Sequence, residues 1–460
     1  MARFAGIDVG SSFVKAALID LDTFELRRTH RAPFPDFVEG LPPLWREVDP
    51  AKVMRAVEQV LAQVLAGEPA CDGVVLCGQM HGFVLVNARG EAVSNYISWL
   101  DGRVTPPEFE ATAAVLTAAD RAEIGNEFRP SIALPLLAWL RRNGNLPEGE
   151  TTPVSLADFV AGRLCGVRPA MEPTQAAAFG GFHLKTFHWH SDVIGKLGLE
   201  SLRWPDVKPH GSIAGRWRGI PCYTSIGDQQ CALAGALLRD RELSVNIGTG
   251  SQVGMLAGAP RPDGLQTRPY FDGRVLRTIT HIPAGRALSA LIALFGEIGG
   301  VREEDAWRHI EAAVNTVPST DIRAGAAFFP GPCGYGGFLE NLHEGNMTAG
   351  HVFRAVFESM ARNYRSCAQR LDPDREAAGA VFSGGVARKL DMLRSLTESA
   401  LELPARLSPH PEDTLFGLMV LALAFSGTSN NVGQATDTIS AFFARKINKA
   451  ENADKLRVDL

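Results

Sequence analysis

The sequence predicts a soluble α/β protein of two lobes, and three observations carry that reading. At 460 residues the chain exceeds what one ordinary hydrophobic core supports. A strand–glycine turn–strand device occurs twice, first as Gly6-Ile7-Asp8-Val9-Gly10-Ser11-Ser12 and again as Val245-Asn246-Ile247-Gly248-Thr249-Gly250-Ser251. The elements after each device follow one outline. A boundary near residue 240, in the charged stretch Arg239-Asp240-Arg241-Glu242, then divides the chain into 1–240 and 241–460.

In the first half, residues 4–9, 13–19 and 24–31 read as short strands, the last two joined by the turn Asp20-Leu21-Asp22. Residues 52–66 place Val53, Val57, Val60, Leu61, Val64 and Leu65 on one helical stripe. Residues 73–77 form a buried apolar strand that ends in Gly78-Gln79-Met80-His81-Gly82. Three strands, a helix and a further strand open an actin or ribonuclease-H-like lobe. The second half repeats this with strands at 243–246, 252–256 and 273–279. A helix follows at 351–371, then a strand at 380–383, a helix at 386–401 and an apolar helix at 412–425. The last twenty residues read as a polar surface helix with a loose end.

Composition narrows the function classes. The chain is 45% hydrophobic and 21% charged, with a net charge of −5 and no block of like charges. That pattern offers no footprint for nucleic acid or an anionic membrane. No run reaches the roughly 20 apolar residues that cross a bilayer, and the start lacks the basic and apolar sections of a secretory leader. The seven cysteines (71, 77, 165, 222, 231, 333, 367) have no C-x-x-C spacing, which argues for reduced thiols over disulfides or a zinc cluster. A cytoplasmic location is the expectation.

Both glycine turns expose backbone N–H groups and hydroxyls as anion cradles. In the first, Asp8 precedes Gly10-Ser11-Ser12, with Lys15 beyond. A carboxylate beside a phosphate needs an intervening cation, so Asp8 reads as a Mg²⁺ anchor, against the alternative of a hairpin Asp serving local N–H groups. The second turn carries Asn246 in the corresponding place and reads as a metal-free grip. No P-loop is present, because the only Gly-Lys pair, Gly195-Lys196, is followed by Leu197. Asp228, in Gly227-Asp228-Gln229-Gln230, falls where a strand meets a helix. Its carboxylate suits either a helix cap or acceptance of a hydroxyl proton during phosphoryl transfer. Gln79 and His81 suit sugar hydroxyls or a structural role. Trp99-Leu100-Asp101-Gly102-Arg103 combines an aromatic face with charged groups, as a sugar site or as an Asp–Arg pair beside a core Trp. Ser383-Gly384-Gly385-Val386 allows close backbone approach to adenine, or is a tight turn.

In order, these motifs resemble the FGGY carbohydrate kinases over nearly the whole chain. Residues 4–15 and Val245–Ser251 look like the family's phosphate motifs, 227–232 like its catalytic-base motif and 382–387 like its adenosine motif. The Gly78–Gly82 loop with Trp99–Arg103 resembles the ketose-kinase branch. Arg268-Pro269-Tyr270-Phe271-Asp272-Gly273 and the short Gly384-Gly385 element are most similar to sedoheptulokinases, then xylulokinases. The resemblance implies two actin/ribonuclease-H-like lobes around a cleft, ATP and Mg²⁺ as cofactors, and a small-molecule sugar substrate. It makes Asp228 the general base and Asp8 the metal-associated carboxylate. Gly10, Ser11, Ser12, Lys15, Thr249, Gly250, Gly285, Ser289, Gly384 and Gly385 become nucleotide contacts. Gln79, Met80, His81, Trp99, Asp101 and Gln229 become sugar contacts. The competing class is an actin-like ATPase without a sugar. Homodimerisation is only the general prior.

Overall fold

The computed structural model describes residues 2–67, 71–299 and 302–458. They form two compact units: Met1–Leu237 with Gly258–Val275 and Glu412–Leu460, and Leu238–Ala257 with Leu276–Pro411. The chain crosses from the first unit to the second between Leu237 and Leu238. It also returns at 258–275 and 412–460, segments that the sequence reading assigns to the second lobe.

The first unit is built on a sheet in the order Glu25–Pro33, Phe13–Asp20, Arg3–Val9, Gly73–Gly78, Ile220–Tyr223, Ile213–Trp217. The first three strands are antiparallel, and Arg3–Val9 runs parallel to Gly73–Gly78. The crossover between those parallel strands carries the helix Pro50–Val64. Asp49 caps it by accepting from the Ala51 N–H, and Pro50 takes its first turn, where no N–H is needed. Its stripe Val53, Val57, Val60, Leu61 and Val64 packs with Ala5, Ile7, Val9, Val74 and Leu76. The alternate face of the central strands bears Gly6 and Asp8, and Gly6 lies under Leu418 of the helix Asp413–Phe425. Coverage on both faces explains why these strands read as continuous apolar runs.

Helix Asp413–Phe425 also crosses helix Asp228–Gly235 at backbone contact. A Cβ on Gly417 would stand 1.8 Å from the Cys231 carbonyl oxygen, and one on Gly235 would stand 1.9 Å from that of Asp413. Only glycine permits this approach. It sets the heads of both helices in the same part of the first unit as Asp8.

The second unit repeats the strand order as Val275–Ile282, Ser251–Ala257, Glu242–Ile247, Gly379–Ser383, Ala405–Leu407. Glu242–Ile247 is antiparallel to Ser251–Ala257 and parallel to Gly379–Ser383. Helix Ala349–Leu371 buries the expected face of Val352, Phe353, Val356, Phe357, Met360 and Tyr364. The single helix expected at 386–401 is instead two, Gly385–Lys389 and Asp391–Leu401. Leu390 breaks it with φ −106° and ψ 85°, an extended backbone that turns its side chain into the core. The C-terminal segment is the helix Val432–Val458. No helix among the described residues is long and apolar enough to cross a membrane.

Candidate active site

The first glycine turn closes on itself, with the Gly10 N–H donating to the Phe13 carbonyl at 3.1 Å, and presents Ser11 and Ser12 to solvent. Asp8, the penultimate residue of its strand, points to the face covered by helix Asp413–Phe425. There one carboxylate oxygen accepts from the Thr414 hydroxyl at 2.7 Å, and the other lies 3.7 Å from the Cys77 thiol. Burial raises the Asp8 pKa, and the Thr414 hydrogen bond only partly offsets it. Lys15 is held by Glu412 at 2.6 Å. Gln79 braces the turn by donating to the Gly10 carbonyl at 3.3 Å while accepting from the Tyr96 hydroxyl at 3.0 Å.

Asp228 is the first residue of helix Asp228–Gly235, and Gly227 occupies the cap position, so the capping alternative does not apply. The junction is fixed from behind. The Gly227 N–H donates to the Thr174 hydroxyl at 2.8 Å, and Gln175 donates to the carbonyls of Gly78 and Ile226 at 3.2 Å each. Met80 packs against Gly227. Burial, and then the charge of Asp8, push the Asp228 pKa up to about 7. Burial thus raises the cost of ionising both carboxyl groups, and the charge of Asp8 adds to it at Asp228. A hard divalent cation satisfies that donor set, so the residues present fit Mg²⁺.

Beside Asp228 lies a polar cluster. Glu127 is fully buried and receives Arg268 side-on, with Nε at 2.7 Å and the second nitrogen at 3.2 Å. Gln266 and Arg129 also donate to it, at 2.7 and 3.2 Å. The same guanidinium donates to the Gln229 carbonyl oxygen and lies 3.3 Å from His81 Nε2. His81 has φ +75° and contacts the Ala178 carbonyl through Nδ1 at 3.0 Å. Burial drives the His81 pKa down to about 3, which leaves a neutral ring. Burial alone would raise the Glu127 carboxyl, but Arg268 and Arg129 outweigh it and hold the pKa at about 2.

In the second unit, the other turn is knitted by glycine contacts. The Gly248 N–H donates to the Gly250 carbonyl at 2.9 Å, while Thr249 and Gly250 stand exposed. The N–H groups of Gly285 and Arg286 donate to the Gly248 and Thr249 carbonyls at 3.0 and 2.8 Å, which seats the head of helix Gly285–Gly299 on the turn. Ser289 is half-buried one helical turn further along. Gly384, at φ +91°, approaches so closely that a Cβ would stand 2.5 Å from the Ile247 carbonyl oxygen. Thr249, Gly250, Gly285 and Gly384 are therefore brought together, with Gly385 following. Asn246 donates to the Ser383 hydroxyl at 2.9 Å.

Residues 4–235 match the model of the FGGY family of carbohydrate kinases, N-terminal domain, half of the chain. The chain belongs to the FGGY family of carbohydrate kinases. It is accordingly an ATP-dependent sugar kinase. It is 24% identical over 477 residues to the sedoheptulokinase of Mus musculus, covering 91% of this chain and 96% of that protein. Xylulose kinase from Lactobacillus acidophilus superposes with a TM-score of 0.83 at 16% identity, over 95% of this chain and 92% of that one. Plasmodium falciparum glycerol kinase with ADP gives 0.83 at 16% identity, over 99% and 98%. These structural likenesses show the actin/ribonuclease-H-like two-unit fold.

Within this FGGY kinase the remaining sequence-predicted residues are Asp101 and Trp99. Asp101 is buried, with Arg103 on its two oxygens at 2.8 Å each and the Arg46 N–H at 2.7 Å. Arg103 also pairs with Glu47 at 2.6 Å and stacks on Trp45. Trp99 is half-buried. Conversely, Glu127, Thr414 and Glu412 escaped the sequence reading, and Arg268 appeared there only within a resemblance motif. Each meets its partner across more than a hundred residues, so no local spacing announces it.

Glu123, His183 and His190 also bring ligand-type atoms within 4.8 Å of one another. His190 Nδ1 accepts the Val193 N–H, and His183 Nδ1 accepts the Lys185 N–H. Each ring then carries its hydrogen on Nε2, where His190 meets Glu123 at 2.8 Å. Metal-binding histidines donate from the second nitrogen instead, so the His190–Glu123 contact is a hydrogen bond from a neutral ring.

Proposed function

We propose that this kinase phosphorylates the terminal primary hydroxyl of an open-chain ketose, with sedoheptulose as the leading substrate. The observation that carries the reading is Asp228. It is a carboxyl at the head of a helix with its pKa near 7, in the same unit as the Gln229–Arg268–His81 cluster. A group with that pKa is half-ionised at neutral pH, close to the optimum for taking a proton in the transition state. In the proposed step the substrate hydroxyl oxygen attacks the γ-phosphorus of ATP, its proton passes to Asp228, and ADP leaves. His81, with its pKa pushed down to about 3 by burial and its Nε2 facing Arg268, does not compete for that proton. Asp8 would hold Mg²⁺, directly or through water, and the ion would neutralise phosphate charge. Ser11, Ser12, Lys15, Thr249 and Gly250 would supply donors for phosphate oxygens. Gly285, Ser289, Gly384 and Gly385 form the nucleotide side, and Gln79, Met80, His81, Trp99, Asp101 and Gln229 the sugar side.

The full-length similarity to a sedoheptulokinase supports the seven-carbon ketose. The structural likeness to a xylulose kinase supports a pentulose as the second reading. The test is ADP release with sedoheptulose, xylulose, ribulose, erythrulose, fructose and glycerol. The highest kcat/KM is expected with sedoheptulose. ATP turnover that no sugar changes would instead mark an actin-like ATPase, and a preference for glycerol would remove the ketose assignment.

A further inference from the structure

We propose that Glu172 and Thr174 are positioning residues for Asp228, a role that rests on the reading of Asp228 as the acceptor of the substrate proton. The Ile226–Gly227 peptide, one residue short of Asp228, is gripped at both ends by two consecutive side chains. Its N–H donates to the Thr174 hydroxyl at 2.8 Å, and its carbonyl accepts from the Gln175 side-chain NH₂ at 3.2 Å. The same NH₂ donates to the Gly78 carbonyl, also at 3.2 Å, where Gly78 stands opposite Gly227 in the parallel strand pair. Gly227 is closely packed as well: a Cβ there would stand 2.8 Å from Gln230 Oε1 and 2.9 Å from the Met80 sulfur.

Both grips trace to one oxygen of Glu172. This side chain is wholly buried and caps the short helix Pro173–Ala177, its Oε1 accepting the Gln175 N–H at 2.9 Å and the Thr174 hydroxyl as well. Because a carboxylate can only accept, the Thr174 hydrogen is committed to Glu172, and a lone pair is left for the Gly227 N–H. The second oxygen, Oε2, lies 2.6 Å from Nδ1 of His210, a half-buried ring packed edge-on to Phe271. A helix cap by itself needs one acceptor and no buried charge. An anion withdrawn from water is costly unless it is paired, and Glu172 spends its pairing on the two residues that hold the Ile226–Gly227 peptide. All of these residues belong to the first unit. Neither Glu172 nor Thr174 is exposed, so both act on Asp228 through the Gly227 peptide and not on the substrate. That hold matters to rate, because misplacing a reacting group by about 1 Å can cost about a hundredfold.

The experiment measures kcat, sugar KM, ATP KM and melting temperature for wild type, Thr174→Val, Thr174→Ser, Glu172→Ala and the double variant Thr174→Val/Glu172→Ala. The substrate is the best sugar of the panel, at a temperature where circular dichroism shows each protein folded. Thr174→Val keeps the shape and removes the hydroxyl, so kcat should fall about 10–100-fold while both KM values stay within about twofold. Thr174→Ser restores the hydroxyl and should recover most of kcat. The loss of kcat in the double variant should be smaller than the product of the two single losses, because Glu172 works through Thr174. If Glu172→Ala does not fold, His210→Leu takes its place in the cycle, since it strips Oε2 of its partner. A folded Thr174→Val enzyme with wild-type kcat would overturn the proposal. So would losses that multiply in the double variant, or sugar and ATP KM that rise in step with the fall of kcat. Asp228→Asn separates the two readings. If it keeps its turnover, the proton-acceptor reading fails and the positioning role falls with it. If it loses turnover while Thr174→Val does not, the positioning role alone fails.

Discussion

The two glycine turns sit at equivalent places in two sheets of the same strand order, yet they are electrostatic opposites. Asp8 and Asn246 are each the penultimate residue of the central strand, and each faces its parallel neighbour. Asp8 stands across from Cys77 in the strand register, and Asn246 across from Ser383. Asp8 is a buried carboxyl with a raised pKa beside a second one, Asp228. Asn246 is a neutral amide that spends its NH₂ on Ser383. In the proposed function the repeated backbone serves twice as a phosphate cradle, and one side chain per turn distinguishes the two. The first concentrates unfavourable negative charge, the usual mark of a site that works on a cation or a proton. The second is electrically silent and suits holding alone.

The sharpest way to break this contrast is at the acid pair. Asp228→Asn keeps shape and polarity but cannot take a proton. Turnover should fall by about 10²–10⁴ with ATP and sugar KM close to wild type. Steady-state kinetics with the best sugar of the panel checks it. A well-folded Asp228→Asn enzyme with near-normal kcat would return both turns to the same standing.

Asp8→Asn makes the first turn resemble the second. Turnover should drop about 10–100-fold, the cost of one charge-assisted contact. Stability should move the other way. The Asp228 pKa is raised in the folded state, so its contribution is full below the unfolded value near 3.8 and is lost as pH rises through about 7. Removing the Asp8 charge lowers that folded pKa, so less stability is lost. Urea unfolding of the nucleotide-free protein in EDTA should show Asp8→Asn more stable than wild type above pH 7. The gain is about 1.4 kcal/mol for each pKa unit recovered. Equal stabilities from pH 5 to pH 8 would mean that the two carboxyl groups do not feel one another.

What the sequence disclosed follows the same division between local and distant information. Strand–turn–strand devices, the apolar stripe of Pro50–Val64 and the placement of Asp228 at a strand-to-helix junction are properties of a few adjacent residues, and they are as read. The helix break at Leu390 was illegible because apolar spacing continues across it. Asp101 and Arg103 carry the side chains of a sugar site and also pair with each other, and composition does not announce that pairing. Thr414 on Asp8 and Arg268 on Glu127 join positions 406 and 141 residues apart, in segments that return to the first unit with no change of composition. A single hydrogen-bonding residue at the head of an apolar helix has no period to betray it.

The smallest expected effect tests the silent turn. Asn246→Asp gives the second cradle the carboxylate of the first without the second acid and without a cation to offset it. The contact to Ser383 can survive, because the serine hydroxyl can rotate to donate to the new carboxylate at the 2.9 Å separation now held by the amide. Thermal stability should therefore change by less than about 1 kcal/mol. The added charge repels phosphate, and a penalty of about 1.4 kcal/mol corresponds to a tenfold weaker grip. ATP KM should rise about tenfold, more at low salt than at high salt, with sugar KM unchanged. An unaltered ATP KM would place the phosphates away from Asn246. A fall in kcat with ATP KM constant would assign the second turn to the chemical step, and the division of labour between the two cradles would be lost.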